Sequence, residues 1–278
     1  MKIRDFAIFK RKRRKIVMMT AYDAPTAELL EAQGVDVLLV GDSVGMVLLG
    51  YDSTASVTMD EMEHHAKAVL RGASKKALVI GDLPLKGVEK GPRQALESAR
   101  RFIRAGCKAV KLEWNRHSVD IVKILKKNSI PAMGHIGLTP QTAHKDGGYR
   151  VRGQGAEKAA EFLKHALQLE KAGAFAVLLE CVPVPVAKIV TERLKVPTIG
   201  IGAGPYCDGQ VLVFNDVIGT FNKFRPRFVR SYAKLFPPME RAVVRFVADV
   251  RGRRFPRKKE SFRMAPEEER RFKELAKG

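Results

Sequence analysis

Eight short apolar runs recur along the chain, and they constrain its fold more than any other feature. They are IVMMTAYD (16–23), VDVLLVGD (35–42), ALVIGDLP (77–84) and KAVKLEW (108–114), then PAMGHIGL (131–138), FAVLLECV (175–182), PTIGIGAG (197–204) and QVLVFND (210–216). Between them lie PTAELLEAQG (25–34), RQALESARRFIRAG (93–106), SVDIVKILKKN (118–128) and GAEKAAEFLKHALQLEKAG (155–173), each apolar at three- and four-residue spacing. Gly34, Gly106 and Gly173 close such segments, as helix-ending glycines do. Strands this uniformly apolar are buried on both faces, which requires a parallel sheet covered by helices. Eight of them predict an α/β fold, a (β/α)8 TIM-type barrel, over an open doubly wound sheet. The link from the seventh run to the eighth is too short for a full helix. A helical stretch, YAKLFPPMERAVVRFVADV (232–250), follows the last strand. We expect a barrel domain over residues 1–260 and a charged, exposed helical tail over 261–278.

Composition matters mainly for what it excludes. No apolar run reaches the length of about 18 residues that spans a membrane. The basic N-terminus, MKIRDFAIFKRKRRK, lacks the apolar centre of a signal peptide. Cys107, Cys181 and Cys207 are scattered, with neither metal-site nor disulfide spacing, so a reduced, cytoplasmic protein is expected. The formal charge of +21 concentrates in KRKRRK (10–15), RPRFVR (225–230) and RGRRFPRKK (251–259). Such clusters can bind phosphate backbones. No zinc-finger spacing or RNA-binding aromatic signature accompanies them, so a solvated basic surface or a subunit contact is the preferred reading over nucleic acid.

Active sites of these barrels lie at the C-terminal ends of the strands. Those ends read Tyr22 and Asp23, Asp42 and Ser43, Asp82, Lys111 and Glu113, His135, Glu180, the glycines of 200–204, and Asp216. Carboxylates converging on one mouth, with a lysine and a histidine among them, describe a site. Asp42, Asp82 and Glu113 are hard oxygen donors suited to Mg²⁺, which takes one or two carboxylates directly and keeps waters. Lys111 and Glu113, two apart on one strand, point the same way. Plainer roles compete. Asp82 could cap the turn before Pro84, Lys111 and Glu113 could be a structural ion pair, and His135 a satisfied core histidine. His64 and His65 read as surface residues. IGIGAG could cradle a phosphate or simply make room for a ligand.

The motifs MTAYDAPTA (19–27), LLVGDSVGMVLLGYDSTASVT (38–58), GDLPL (81–85), AVKLE (109–113), GHIGLTPQ (134–141), GGYRVRGQG (147–155), LECVP (179–183) and IGIGAGPYCDGQVLV (199–213) follow one another in order. This series resembles the ketopantoate hydroxymethyltransferase family over roughly residues 10–260. The resemblance implies a (β/α)8 barrel that transfers a hydroxymethyl group from 5,10-methylenetetrahydrofolate, or a related pterin, to 3-methyl-2-oxobutanoate. It implies Asp42 and Asp82 as Mg²⁺ ligands, with Glu113 ligating directly or through water. Asp42, Ser43, Asp82, Lys111 and His135 would contact the keto acid, and Glu180 would be the general base. Family members are commonly homo-oligomers, often decamers. Trp114 and Asn115 replace the glycines usual after KLE, and the basic ends lie outside the motifs. An isocitrate lyase or phosphoenolpyruvate mutase type of lyase is the nearest rival, disfavoured because no cysteine sits in a recognisable catalytic motif.

Overall fold

The computed structural model describes residues 1–74, 76–143, 148–223 and 225–277, so Gly147 of the GGYRVRGQG motif lies outside the described residues. The chain opens with α1 (Ile3–Arg11), β1 (Ile16–Thr20), α2 (Ala24–Ala32), β2 (Val37–Val40), α3 (Val44–Val47) and α4 (Met59–Gly72). It continues with β3 (Leu78–Asp82), α5 (Pro92–Ala105), β4 (Ala109–Glu113), α6 (Ser118–Lys127), β5 (Ala132–Gly137), α7 (Ala156–Ala172) and β6 (Ala176–Glu180). The last elements are α8 (Val184–Arg193), β7 (Thr198–Ile201), β8 (Gly209–Leu212), α9 (Phe214–Ile218), α10 (Phe236–Arg251) and α11 (Pro266–Leu275). The eight strands are parallel and close into a barrel in chain order, with β8 returning to β1. The three expected helix-ending glycines all take positive φ: 84° at Gly34, 119° at Gly106 and 111° at Gly173.

The two-residue period of the strands divides the apolar side chains between two cores. One set faces the helices: Leu38, Val40, Val79, Val110, Leu112, Val177 and Leu179 pack against Val69, Phe102, Ile121 and Leu169. The other fills the barrel: Ile16, Met18, Val37, Leu39, Leu78, Ile80, Ala109, Met133, Ala176, Leu178, Ile199 and Val211. Helix α1, which lies in the stretch read only as a basic terminus, closes the N-terminal end. Its Phe6 is buried in the inner core, edge-on to Phe175 with ring centroids 4.9 Å apart. Burying such a ring contributes roughly 1.5–3 kcal/mol. Lys10 ties the same helix down by donating to Asp208 and to the Thr191 carbonyl, each at 2.8 Å. A second fastening lies on the outside. Buried Glu31 at the end of α2 accepts from the backbone N–H groups of Ser74, Lys76 and Ala77, fixing the entry to β3.

Helices α2, α4, α5, α6, α7 and α8 pack side by side around the sheet. Helix α10 does not join them. None of its residues is buried, and Phe236, Met239, Val243, Val247 and Val250 form an exposed stripe at helical spacing. Helix α11 likewise buries nothing. Among the described residues no helix is long and apolar enough to cross a membrane.

Three expectations need correcting. Asp23 does not end a strand; β1 stops at Thr20, and Asp23 caps α2 by accepting from the Thr26 N–H at 2.7 Å. Asp216 does not end β8, which stops at Leu212; it sits in the first turn of α9. His65 is half-buried, not a surface residue, with its Nδ1 2.8 Å from the Tyr22 carbonyl oxygen.

Candidate active site

The inner-core parity continues upward into polar residues. Positions 78 and 80 of β3, 109 of β4, 133 of β5 and 176 and 178 of β6 face the barrel interior. Two residues further along each strand stand Asp82, Lys111, His135 and Glu180, with Glu113 two beyond Lys111. Strand register then sets neighbours: Asp82 lies beside Lys111, Glu113 beside His135, and Glu180 beside Gly137. Only glycine fits at 137, because φ is +99° and a Cβ there would come within 2.2 Å of the Glu180 carbonyl oxygen.

One cavity of about 280 Å³ collects these groups. Asp42, Ser43, Asp82, Lys111, Glu113, His135 and Glu180 all line it, and so does Asp216. The Lys111 ammonium donates to both Asp82 oxygens at 2.7 Å, with both side chains at most 5% exposed. Asp42 arrives from the turn after β2, and its backbone N–H points at Asp82 Oδ2, 3.4 Å away. Ser43 Oγ lies 2.8 Å from the Tyr22 hydroxyl. His135 Nε2 is 3.2 Å from Glu180 Oε2, and its Nδ1 is 3.8 Å from Glu113 Oε1.

Gln141 is a residue that sequence reasoning did not single out, although it ends the quoted GHIGLTPQ motif. Its buried amide donates to Asp42 Oδ2 at 2.7 Å and to the Leu83 carbonyl at 3.0 Å, while its backbone N–H reaches Glu113 Oε2 at 3.1 Å. It therefore holds two of the carboxylates in place. Trp114 points away from the cavity and stacks on His165, with ring centroids 3.8 Å apart and planes 16° from parallel. Asn115 folds onto its own turn, accepting from the His117 N–H at 2.8 Å. In the glycine run, Gly202 makes room for a wall of the cavity: a Cβ there would meet the Phe228 ring at 2.7 Å.

Electrostatically the cluster is short of positive charge. Four carboxylates face one ammonium. Burial, then the charge of Asp82, pushes Asp42 up to about 7. Burial also pushes Glu180 up to about 8, and burial and the Asp42 charge hold Glu113 well above the ordinary carboxylate range. Lys111 goes the other way: burial opposes its charge, but Asp82, Asp42 and Glu113 outweigh burial and raise it. Burial and the neighbouring Lys111 keep His135 well below its ordinary value, so it is neutral.

No group of three or more His, Cys, Asp or Glu side chains among the described residues is pre-gathered around a single metal position. The reason is visible: Lys111 occupies Asp82, and Gln141 occupies one oxygen each of Asp42 and Glu113. The other Glu113 oxygen, Oε1, is buried with no hydrogen-bond partner among the described residues. An orphaned carboxylate oxygen beside two aspartates fits a hard divalent cation that takes one or two carboxylates directly and meets a third through water.

Comparison of the whole structure shows the fold. 2,3-Dimethylmalate lyase, a member of the PEP mutase/isocitrate lyase superfamily, superposes with a TM-score of 0.56 at 14% identity, covering 99% of this chain and 95% of that one. Phosphonopyruvate hydrolase gives 0.60 at 13% identity, covering 99% and 96%. These neighbours share the barrel. The sequence is more specific. The family model of ketopantoate hydroxymethyltransferase matches residues 1–258. A 3-methyl-2-oxobutanoate hydroxymethyltransferase of Syntrophomonas wolfei is 49% identical over 259 residues, covering 93% of this chain and 94% of the relative. Its namesake from Carboxydothermus hydrogenoformans is 49% identical over 254 residues, covering 91% and 92%. The chain belongs to the ketopantoate hydroxymethyltransferase family, a family of transferases.

Proposed function

We propose that this protein transfers a hydroxymethyl group from 5,10-methylenetetrahydrofolate, or a related pterin, to 3-methyl-2-oxobutanoate, giving 2-dehydropantoate. The observation that carries the reading is Glu180, the most exposed carboxylate of the cluster lining the cavity, 14% exposed against 5% or less for Asp42, Asp82 and Glu113. Its ionisation, raised to about 8, suits a base that must hold a proton taken from a weak carbon acid near neutrality.

Lys111 and Ser43 bind and orient the keto acid through its carboxylate and 2-oxo oxygens. The Lys111 ammonium, held at a fixed point by Asp82, faces the oxygen on which negative charge grows as the C3 proton leaves. Glu180 takes that proton at Oε1 or Oε2, and neutral His135 forms the wall beside it. Asp42 and Asp82 are the direct ligands we assign to Mg²⁺, with Glu113 ligating directly or through water. When bound, Mg²⁺ supplies Lewis-acid stabilisation of charge on the substrate oxygens. Water opens the donor's methylene bridge, its two C–N bonds breaking as both nitrogens take up a proton, so that the tetrahydropterin leaves. The C3 carbanion adds to the released aldehyde-level carbon, whose oxygen takes the proton back from Glu180 and becomes the product's hydroxyl. A neighbour in fold, phosphonopyruvate hydrolase solved with oxalate and Mg²⁺, supports the pairing of this barrel with a small dicarbonyl acid and that ion.

The protein acts as a homo-oligomer in this reading, because the apolar stripe of α10 has no cover among the described residues. Free, buried cysteines agree with a reducing cytoplasm. The test needs no donor. Incubation with 3-methyl-2-oxobutanoate in D₂O should exchange its C3 proton, followed by NMR, with Mg²⁺ and not with EDTA. Exchange no faster than without protein rejects the reading.

A further inference from the structure

One carboxylate of the cavity has no part in the reaction just described. Asp216 lines the same cavity from α9, on the β8 side, away from Lys111 and Gln141. It occupies the helix position from which an acidic side chain ordinarily reaches back to the helix start. It does not do so; α9 has no side-chain cap, and the Asp216 carboxylate accepts no hydrogen bond among the described residues. Only its backbone is engaged, its N–H with Val213 at 3.1 Å and its carbonyl with Ser231 Oγ at 2.9 Å. Burial raises its ionisation to about 6, against the opposing charge of Arg225, so it is mostly ionised at neutral pH. A half-buried carboxylate with no hydrogen-bond donor among the described residues, and only the Arg225 charge to offset its burial, is costly unless a ligand supplies the donors.

Its surroundings differ from those of the Asp42, Asp82 and Glu113 cluster. Val213, Phe221, Pro226 and Phe228 give this end apolar walls, and Arg150 and Arg227 stand exposed at the rim. A five-carbon keto acid held at Lys111 uses none of these groups. A ligand that matches them has a flat ring for the walls, a pair of parallel N–H groups for the carboxylate and an anionic extension for the arginines. A reduced pteridine carries such a pair, the 2-amino group and N3–H of its cyclic amidine, and a folate tail carries carboxylates. Carboxylate and amidine edge form a two-bond, charge-assisted pair. We infer that Asp216 recognises the pteridine ring of the one-carbon donor through that edge, while Arg150 and Arg227 meet the donor's anionic tail. The ring then lies along the β8 side with the transferable carbon turned toward Glu180 and the keto acid. This assignment rests on the pterin-donor reading above.

The experiment separates the two. In Asp216→Asn the donor-free exchange of the keto acid in D₂O should stay within about twofold of wild type, showing an intact fold and Mg²⁺ site. The KM for 5,10-methylenetetrahydrofolate should rise about 10- to 100-fold, the range for losing a charged hydrogen-bond partner. A second measurement is independent of the variant's folding. Calorimetry on wild-type protein with Mg²⁺ and keto acid should show tetrahydrofolate binding at least about tenfold more tightly than its 2-desamino analogue. Asp216→Asn should lose most of that preference. Normal exchange with an unchanged donor KM, or equal wild-type affinity for the two pterins, overturns the assignment and leaves the enolisation chemistry standing. Wild-type protein that exchanges no proton removes the reading beneath it as well.

Discussion

Glu180→Gln gives the sharpest test of how this cavity works. The substitution keeps side-chain volume and hydrogen-bonding capacity while removing the proton-accepting charge. A positioned general base contributes about 10²- to 10⁴-fold, or roughly 2.7–5.5 kcal/mol of barrier. Proton exchange at C3 should fall by that factor, while keto-acid affinity, which we assign to Lys111 and Ser43, changes little. The wild-type pH profile follows from the same group. With its ionisation near 8, about one tenth of Glu180 is in the base form at pH 7 and about one hundredth at pH 6. Without a cation that fraction climbs close to tenfold per pH unit from 6, so the rate should rise with pH. It should level off at or below about 8, because a divalent cation nearby favours the ionised form. Exchange measured by NMR in D₂O from pH 6 to 9, with the protein-free rate subtracted, reports both effects. A Glu180→Gln protein within about fivefold of wild type, or a flat wild-type profile, would refute Glu180 as the base.

Three further outcomes are expected. Asp42, Glu113 and Glu180 are all raised in the folded state, Asp42 to about 7 and Glu180 to about 8, so above their unfolded values near 4 the native state holds more protons. Stability in EDTA should fall as pH rises from 5 to 8, by up to about 1.4 kcal/mol per unit for each such group. Mg²⁺ should restore more stability at pH 8 than at pH 6, as read from thermal unfolding; equal restoration at the two values counts against a carboxylate-bound ion. Lys111→Met leaves buried Asp82 without its partner and should cost about 3–5 kcal/mol in urea unfolding, with keto-acid binding lost; a variant that still binds the keto acid places the anion elsewhere. Val243→Asp with Val247→Asp puts charge into the α10 stripe and should lower the mass seen by light scattering without stopping proton exchange. An unchanged assembly would mean that α10 lies outside the interface.

Reading the strands by their period of two carried far into the site. Lys111 and Glu113 share a face because they are two apart on one strand, and that spacing is local information. Asp82 and Glu180 end apolar strands and His135 lies inside one, so their burial followed from the company they keep. The barrel itself was legible because eight strands buried on both faces leave few ways to cover them. Asp23 and Asp216 show where this stops. Both follow apolar runs and read as strand ends, yet the chain turns at Thr20 and Leu212, and only backbone geometry makes one a cap and leaves the other's carboxylate without a hydrogen bond among the described residues. Gln141 contacts Asp42 across 99 residues of chain and Glu113 across 28. No pattern in sequence encodes such a meeting, which is decided by closure of the barrel. The helical stretch at 232–250 was equally plain, but only the structure shows its apolar stripe exposed. The sequence alone determined the sheet, its two faces and the chemistry of the residues at its mouth. The tertiary structure alone decided which side chains are left without partners, because partners are set by register and closure between segments far apart in the chain.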